Sequence, residues 1–268
     1  MTPHFFAASK PHKQPLLLRK LDGRLQHLYE WATARHYTHI WDLCCDHGRL
    51  GLHLHQATQQ AQSHIYLIDQ VPSIINRLQK QCTSHSKNRL TISCLDASKI
   101  SLAAGSHCII LAGIGGKNAV EIIKALLANH LKPQAQATRA IHIDVLLSPT
   151  NHTYALREYL HTTPLEVVDE AFIHEKGHDY EHMFYRLNLL ATQNSCKKHN
   201  PAGSSIWQPM TSTKKRYLHK LIQYHQTCQL KHTSQSSPST ASHASYQALV
   251  DYQNALARNE SLSKTRVF

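Results

Sequence analysis

Short apolar runs of strand length recur through the middle of the chain, separated by segments long enough for a helix. The runs are HIWDLCC (39–45), IYLID (65–69), LTISCL (90–95), CIILAGI (108–114), IDVLLS (143–148), LEVVDEAFI (165–173) and HMFYRLNLL (182–190). Continuous rather than alternating apolar character marks strands covered on both faces, and alternation with helices marks βαβ units in a parallel sheet. After the fifth run the spacing shortens, so the last two strands pair as an antiparallel hairpin at the sheet edge. The prediction is a doubly wound α/β domain of six or seven strands.

The flanks read differently. Over residues 15–35, Leu18, Leu21, Leu25, Leu28 and Trp31 fall near helical spacing, with Gly23 weakening the middle. Residues 194–206 (NSCKKHNPAGSSI) are polar and broken by Pro201 and Gly203, which reads as a linker. Two further helices are expected over 210–231 and 244–258, joined by a serine-rich turn at 233–243. The domain reading is therefore 1–193 for an α/β domain with an N-terminal helical segment, 194–206 for the linker, and 207–268 for a coiled-coil-like helical hairpin.

Charge sharpens this division. The chain carries a net +12, with +4 in residues 1–39, zero in 40–195 and +8 in 196–268. A neutral middle with basic ends suits a catalytic core whose arms grip a polyanion. Nucleic acid is favoured over a membrane surface, because no basic helix shows a strong aromatic face. No apolar run approaches the ~20 residues of a membrane span, and the opening residues MTPHFFAASKPHKQ lack a signal-peptide core. The seven cysteines contain no CxxC pair, and the adjacent Cys44 and Cys45 point to opposite faces if the strand continues through them. No metal and a reducing, cytoplasmic setting are expected.

In doubly wound sheets ligands gather at the carboxyl ends of the strands. The first strand leads into Asp42-Leu-Cys44-Cys-Asp46-His47-Gly48-Arg-Leu-Gly51: an acidic residue, a tight turn and a helix N-terminus. It is not GxGxxG, which disfavours a dinucleotide. The second strand ends in Asp69-Gln70, 27 residues after Asp42, where a carboxylate can accept both ribose hydroxyls. The third ends in Asp96-Ala97, where the carboxylate can meet an adenine amino group. Each aspartate alone reads equally as a cap for the helix that follows. Three at successive strand ends point to S-adenosylmethionine. The fourth strand leads into Ala112-Gly113-Ile114-Gly115-Gly116-Lys117. Three of the chain's nine glycines fall within these residues, as expected where backbone must approach a ligand closely.

Together DLCCDHGRLG, LIDQV, CLDAS, LAGIGGK, LLSPTNHTYALREYL and VVDEAFIHEKGHDYEHMFYRL resemble the bacterial tRNA (adenine-22-N1)-methyltransferase family, TrmK. Asp42, Asp46, His47 and Gly48 match that family's first motif, with Cys44 where the family usually has glycine. Ala112, Gly113, Ile114, Gly115 and Gly116 match its glycine loop. Leu156-Arg157 and the Val168-Asp169-Glu170, Glu175, Gly177, Tyr180-Glu181 set match its downstream motifs. The resemblance spans roughly residues 20–190 and implies a Rossmann-like class I methyltransferase with a C-terminal helical hairpin, acting on N1 of an adenosine in tRNA, position 22. It implies cofactor contacts from Asp42, Cys44, Asp46, His47, Gly48, Asp69, Gln70, Asp96, Ala97, Ala112 and Gly113. Asp46, His47, Gly113, Gly115 and Gly116 would serve the reaction. Asp46 or His47 can bind the methionine end, accept the N6 proton or balance the cation that forms. Arg19, Lys20, Arg24, Lys214, Lys215 and Arg216 would meet tRNA phosphates, in a monomer. The competing readings are a tRNA-binding relative without activity and a methyltransferase with a different substrate.

Overall fold

The structure is a computed structural model and describes residues 19–57, 62–82, 89–130, 141–188, 200–203, 205–233 and 240–265. Seven strands form one sheet: β1 (His39–Leu43), β2 (His64–Asp69), β3 (Leu90–Cys94), β4 (Gly105–Ala112), β5 (Ile141–Ser148), β6 (Leu165–Glu175) and β7 (His178–Leu187). Their order is β3-β2-β1-β4-β5-β7-β6. The first five are parallel, and β7 runs antiparallel to both β5 and β6. The expected edge hairpin is present, with β7 inserted between β5 and β6.

Helices cover both faces: α1 (Gly23–Thr33), α2 (Arg49–Ala57), α3 (Pro72–Gln81), α4 (Gly116–His130) and α5 (Thr153–His161). One core cluster contains Leu111, Ile123, Val145, Leu156 and Tyr185, and the other contains Leu28, Leu54, Ile65, Leu78 and Phe184. Tyr185 and Phe184 fall in different clusters because successive strand residues point to opposite faces. The β1 and β4 strands lie side by side although β2 and β3 intervene in sequence. The order therefore reverses between them, and their carboxyl ends open a crevice there.

The first helix departs from the expected 15–35. It starts at Gly23, because the Asp22 side chain accepts a hydrogen bond from the Leu25 backbone N–H and caps it. Gly23 is thus a terminal residue, where its low helix propensity costs little. Leu18 lies outside the described residues. The fourth apolar run also continues past its strand: β4 stops at Ala112, and Gly113-Ile114 begin a loop.

The C-terminal helices α6 (Ser212–Thr233) and α7 (Thr240–Thr265) pack on each other and on the α/β core. Their shared cluster contains Leu218, Ile222, Ala248, Leu249 and Tyr252, and takes in Tyr154 from α5. The polar look of 194–206 hides a packed end: Ala202, Ile206 and Trp207 are fully buried, and the Trp207 indole N–H donates to the Ala202 carbonyl at 2.8 Å. Residues 194–199 lie outside the described residues, as does the middle of the serine-rich segment; α7 already begins at Thr240.

A buried charge cluster fastens this hairpin. Arg157, on α5, pairs with Glu170 on β6 and Glu181 on β7, and all three side chains are inaccessible to solvent. The carboxylates also accept from Ser205 Oγ (3.0 Å, Glu170) and from Tyr217 Oη on α6 (3.0 Å, Glu181). These are motif residues, and their structural task is to seat α6 on the sheet.

Several of the 23 histidines find a structural role as aromatic surface. Across β1, β2 and β4, Trp41 stacks on Tyr66 (3.7 Å between centroids), His64 on Tyr66 (4.4 Å) and His39 on His107 (4.7 Å). Burial pushes His107 down to about 4, which keeps it neutral. It then donates from Nε2 to the Ala103 carbonyl and accepts at Nδ1 from the Trp41 indole.

Candidate active site

The β1–α2 loop is built around left-handed backbone. Cys44 (φ 57°), Asp46 (φ 47°) and Gly48 (φ 64°) all have positive φ. Cys44 therefore adopts the conformation that a glycine would take without strain, at a cost of roughly 1–2 kcal/mol. Three bonds hold the loop: Cys45 N–H to the Ile68 carbonyl (3.1 Å), Gly48 N–H to the Cys45 carbonyl (2.8 Å), and Asp46 N–H to Asp69 Oδ2 (3.1 Å). The other Asp69 oxygen accepts from Val71 N–H at 3.0 Å. Asp69 thus ties the loops after β1 and β2 together, and each carboxylate oxygen retains a lone pair for a further donor.

Asp42 lies beneath this loop, 4% exposed, and accepts from Gly51 N–H at 2.9 Å. Burial pushes its carboxyl up to about 7, and the Asp69 charge adds to this against the Gly51 bond and the Arg24 charge. Gly51 has no room for a side chain, since a Cβ would collide with Leu67 and Asp42. That contact sets how closely α2 approaches the sheet.

The loop after β4 is zipped to the loop after β5. Gly113 N–H donates to the Ser148 carbonyl (3.0 Å), Thr150 N–H to the Ile114 carbonyl (2.9 Å), and Gly116 N–H to the Asn151 carbonyl (2.9 Å). A Cβ on Gly115 would meet Asn151 Oδ1 at 2.8 Å, and one on Gly116 would meet the Asn151 carbonyl at 2.9 Å. Two of the three clustered glycines are therefore needed by this neighbouring loop, which the reading of close ligand approach did not foresee. Gly113 differs: its φ is 83°, and only the Arg24 guanidinium comes within 4 Å of a Cβ placed there.

Between these loops lies a cavity of about 610 Å3. Of the residues named as cofactor contacts from the sequence, Asp42, Cys44, Asp46, His47, Ala112 and Gly113 line it. Gly48 is buried behind it, while Asp69, Gln70, Asp96 and Ala97 lie beyond its lining. Asp96 caps the short 3-10 turn at Ala97–Lys99, accepting from Ser98 N–H (2.9 Å) and Ser98 Oγ (2.8 Å), and those bonds lower its carboxyl. Asp46 and His47 are exposed and contact each other at 2.7 Å, and His47 Nε2 accepts from the Arg77 guanidinium at 3.3 Å. Cys44 packs against one core face and Cys45 within the other. Among the described residues no three His, Cys, Asp or Glu side chains converge as metal ligands, and no helix is long and apolar enough to cross a membrane.

The structure places Arg24 in this cavity rather than on an outer arm. Its guanidinium is 3.4 Å from Ser148 Oγ and 5.1 Å from the Tyr180 ring centroid, while its backbone N–H donates to Glu175 at 2.7 Å. Asp22, Arg49, Thr150 and Tyr180 also line the cavity and were missed as site residues. Tyr180 had a signal, since it stands in the matched downstream motif. Arg19 and Lys20 are exposed, and the Lys20 carbonyl accepts from Arg49 at 3.0 Å. Lys215 and Arg216 are exposed near the start of α6, whereas the Lys214 ammonium turns back onto the Gln208 and Pro209 carbonyls, both at 3.2 Å.

A family model described as a methyltransferase domain matches residues 21–183. The chain belongs to the methyltransferase-domain family. That span runs from the residue before the α1 cap to β7, and so contains both loops of the cavity. Among solved structures, the methyltransferase is similar to the B. subtilis m1A22 tRNA methyltransferase TrmK, with 16% identity and a TM-score of 0.61 over 90% of this chain and 98% of that one. It is also similar to M. capricolum TrmK in complex with S-adenosyl-homocysteine, with 16% identity and a TM-score of 0.57 over 90% of this chain and 97% of that one. A Streptococcus agalactiae protein of the NADB-Rossmann superfamily gives 16% identity and a TM-score of 0.62 over 90% and 100%. A comparison with curated protein sequences finds no match. The methyltransferase fold, Rossmann-like with its antiparallel strand, is the one expected from the sequence.

Proposed function

We propose that this methyltransferase transfers a methyl group from S-adenosylmethionine to N1 of an adenosine in tRNA, at position 22. One observation carries the reading: the likeness to the TrmK structures extends over 90% of this chain and nearly all of theirs, more than the α/β domain alone can supply, so it reaches into the C-terminal helices. The quoted motif residues support it, and so does the left-handed backbone that Cys44 keeps at the glycine position.

The cavity suits the methionine end of the cofactor. It has an acidic floor in Asp42, an exposed Asp46 and His47 at its mouth, and an open backbone cradle at Gly113, where a side chain would meet only Arg24. When bound, S-adenosylmethionine supplies an electrophilic methyl on a sulfonium. Asp42, Cys44, Asp46, His47, Ala112 and Gly113 would hold its methionine end, on a turn that Gly48 closes. Asp69 with Gln70 would take the ribose, and Asp96 with Ala97 the adenine. Adenosine N1 is already a nucleophile, so this chain's contribution is positioning. The two zipped loops hold Gly113–Gly116 rigid before substrate arrives. N1 lies on the Watson–Crick edge, so the base leaves its stack to react. The exposed Arg19, Lys20, Lys215 and Arg216 would meet phosphates, and Arg24 sits where it can act on the entering nucleotide. A cytoplasmic, monomeric protein with the domain limits 1–193, 194–206 and 207–268 completes the proposal.

The test is methyl incorporation from labelled S-adenosylmethionine into bulk bacterial tRNA, followed by nucleoside analysis. We expect 1-methyladenosine. A different methylated nucleoside would overturn the N1-adenosine assignment, and no incorporation with tRNA still bound would replace catalysis by binding alone.

A further inference from the structure

A second, larger cavity of about 820 Å3 lies where the α/β core meets the helical hairpin. It shares Thr150 and Tyr180 with the cofactor cavity, so the two are neighbours on one wall. Its size is that of a small-molecule pocket, yet nothing in the methyl-transfer chemistry requires it.

The lining is aromatic. From α6 come Tyr224 and His225, with Tyr154 of α5 and Tyr252 of α7. Tyr224 is 52% exposed, whereas Tyr154 and Tyr252 are buried. His225 packs edge-on to Tyr224, with 5.1 Å between centroids, and burial lowers its pKa, so it is neutral near pH 7. Its Nδ1 is buried and has no hydrogen-bond partner among the described residues. The charges are balanced: Lys117 and Lys220 line the cavity, but so do Glu158 and Asp179. A phosphate gains nothing from that balance, whereas a neutral ring with hydrogen-bonding edges suits it.

We propose that this cavity receives an unstacked nucleobase of the RNA, a neighbour of the adenosine presented to the cofactor. The base stacks on Tyr224, with the His225 ring edge-on beside it. This deepens the tRNA reading and rests on it: it gives the enzyme a second point of purchase that holds the strand open while the target base is in place.

The experiment uses the full-length protein, a tRNA transcript with adenosine at position 22, and the variants Tyr224→Ala and Tyr224→Phe. Because Tyr224 is half exposed, the fold tolerates both. Tyr224→Ala is expected to raise the tRNA Kd and KM about tenfold, within the range for a base–aromatic stack. The S-adenosylhomocysteine affinity and the salt dependence of tRNA binding stay as in wild type, and Tyr224→Phe restores the loss. A Tyr224→Ala Kd within twofold of wild type, with wild type binding and methylating the transcript, overturns this inference alone. A loss that Phe does not restore, or one that flattens the salt dependence, replaces stacking by a phosphate contact and also overturns it. Wild type that fails to bind the transcript removes both this inference and the function beneath it.

Discussion

Replacing Arg157 by Met removes the cation at the centre of the buried cluster while keeping an unbranched side chain in its place. Glu170 and Glu181 would then face each other's charge, with Ser205 donating to one and Tyr217 to the other. Breaking a buried pair by deleting one partner costs about 3–5 kcal/mol, because the remaining charge is left uncompensated. For a chain of this size each kcal/mol moves the melting temperature by roughly 2–4 °C, so the variant should melt on the order of 10 °C lower in scanning calorimetry. A companion variant isolates the cause. Arg157→Met combined with Glu170→Gln and Glu181→Gln carries no buried charge and should recover part of the loss, although its packing is no better. Arg157→Lys should fall between, since an ammonium cannot offer the planar fork that reaches both carboxylates. A fall of less than about 3 °C for Arg157→Met, or a triple variant no more stable than the single one, would refute the view that charge compensation seats the hairpin.

Gly116→Ala forces a Cβ onto the Asn151 and His152 backbone; we expect methyl transfer to fall at least tenfold in a single-turnover assay while the melting temperature drops by only a few degrees. Asp69→Ala removes the acceptor of both Asp46 N–H and Val71 N–H and should weaken S-adenosylhomocysteine binding by calorimetry while sparing tRNA affinity. Lys215→Glu with Arg216→Glu should weaken tRNA binding and flatten its salt dependence in filter binding; adding Lys214→Glu should contribute less, because that ammonium is already bonded to two carbonyls. Asp42, raised to about 7 in the fold, holds a proton between pH 4 and 7 that the unfolded chain has lost. Its contribution to stability is therefore present at low pH and disappears as pH rises through that window. Asp42→Asn should match wild type near pH 4 and exceed it by a few kcal/mol above pH 7 in urea titrations. His182, pushed down to about 3 by burial, has the opposite slope below pH 6.5, so the two proteins are compared at each pH rather than read from one profile.

The strands were legible because each is a run of apolar residues covered on both faces, and the parallel direction of the first five followed from the βα alternation. What the pattern could not show was where charged residues are paired inside. Arg157, Glu170 and Glu181 read as family letters without a task, since a polar side chain in sequence carries no sign that its partners lie 13 and 24 residues away. Arg24 read as a phosphate contact because it sits in a basic stretch. Its direction is set by the Asp22 cap, which starts the helix one residue before it and turns its side chain toward Ser148 and Tyr180. The glycine loop was located from composition, but half of its reason lay in Asn151 and His152, on a loop joined to another strand.

Strand β7 shows how closely the hairpin seat and the cavity are coupled. Side chains alternate along it, and three consecutive residues divide between two tasks. Tyr180 supplies the ring beneath Arg24 and a wall of both cavities. Glu181 points to the other face and binds Arg157 and Tyr217, which fixes α6. His182 returns to the first face and meets His27 of α1 at 3.0 Å. A shift of this strand by one residue would exchange the faces and break all three contacts at once. The position of α6, and with it Tyr224 and His225, is therefore set by the same backbone that positions Tyr180 at the cofactor cavity. Loosening the buried cluster should accordingly be felt in tRNA affinity as well as in melting temperature, which the Arg157 series can test by measuring both on each variant.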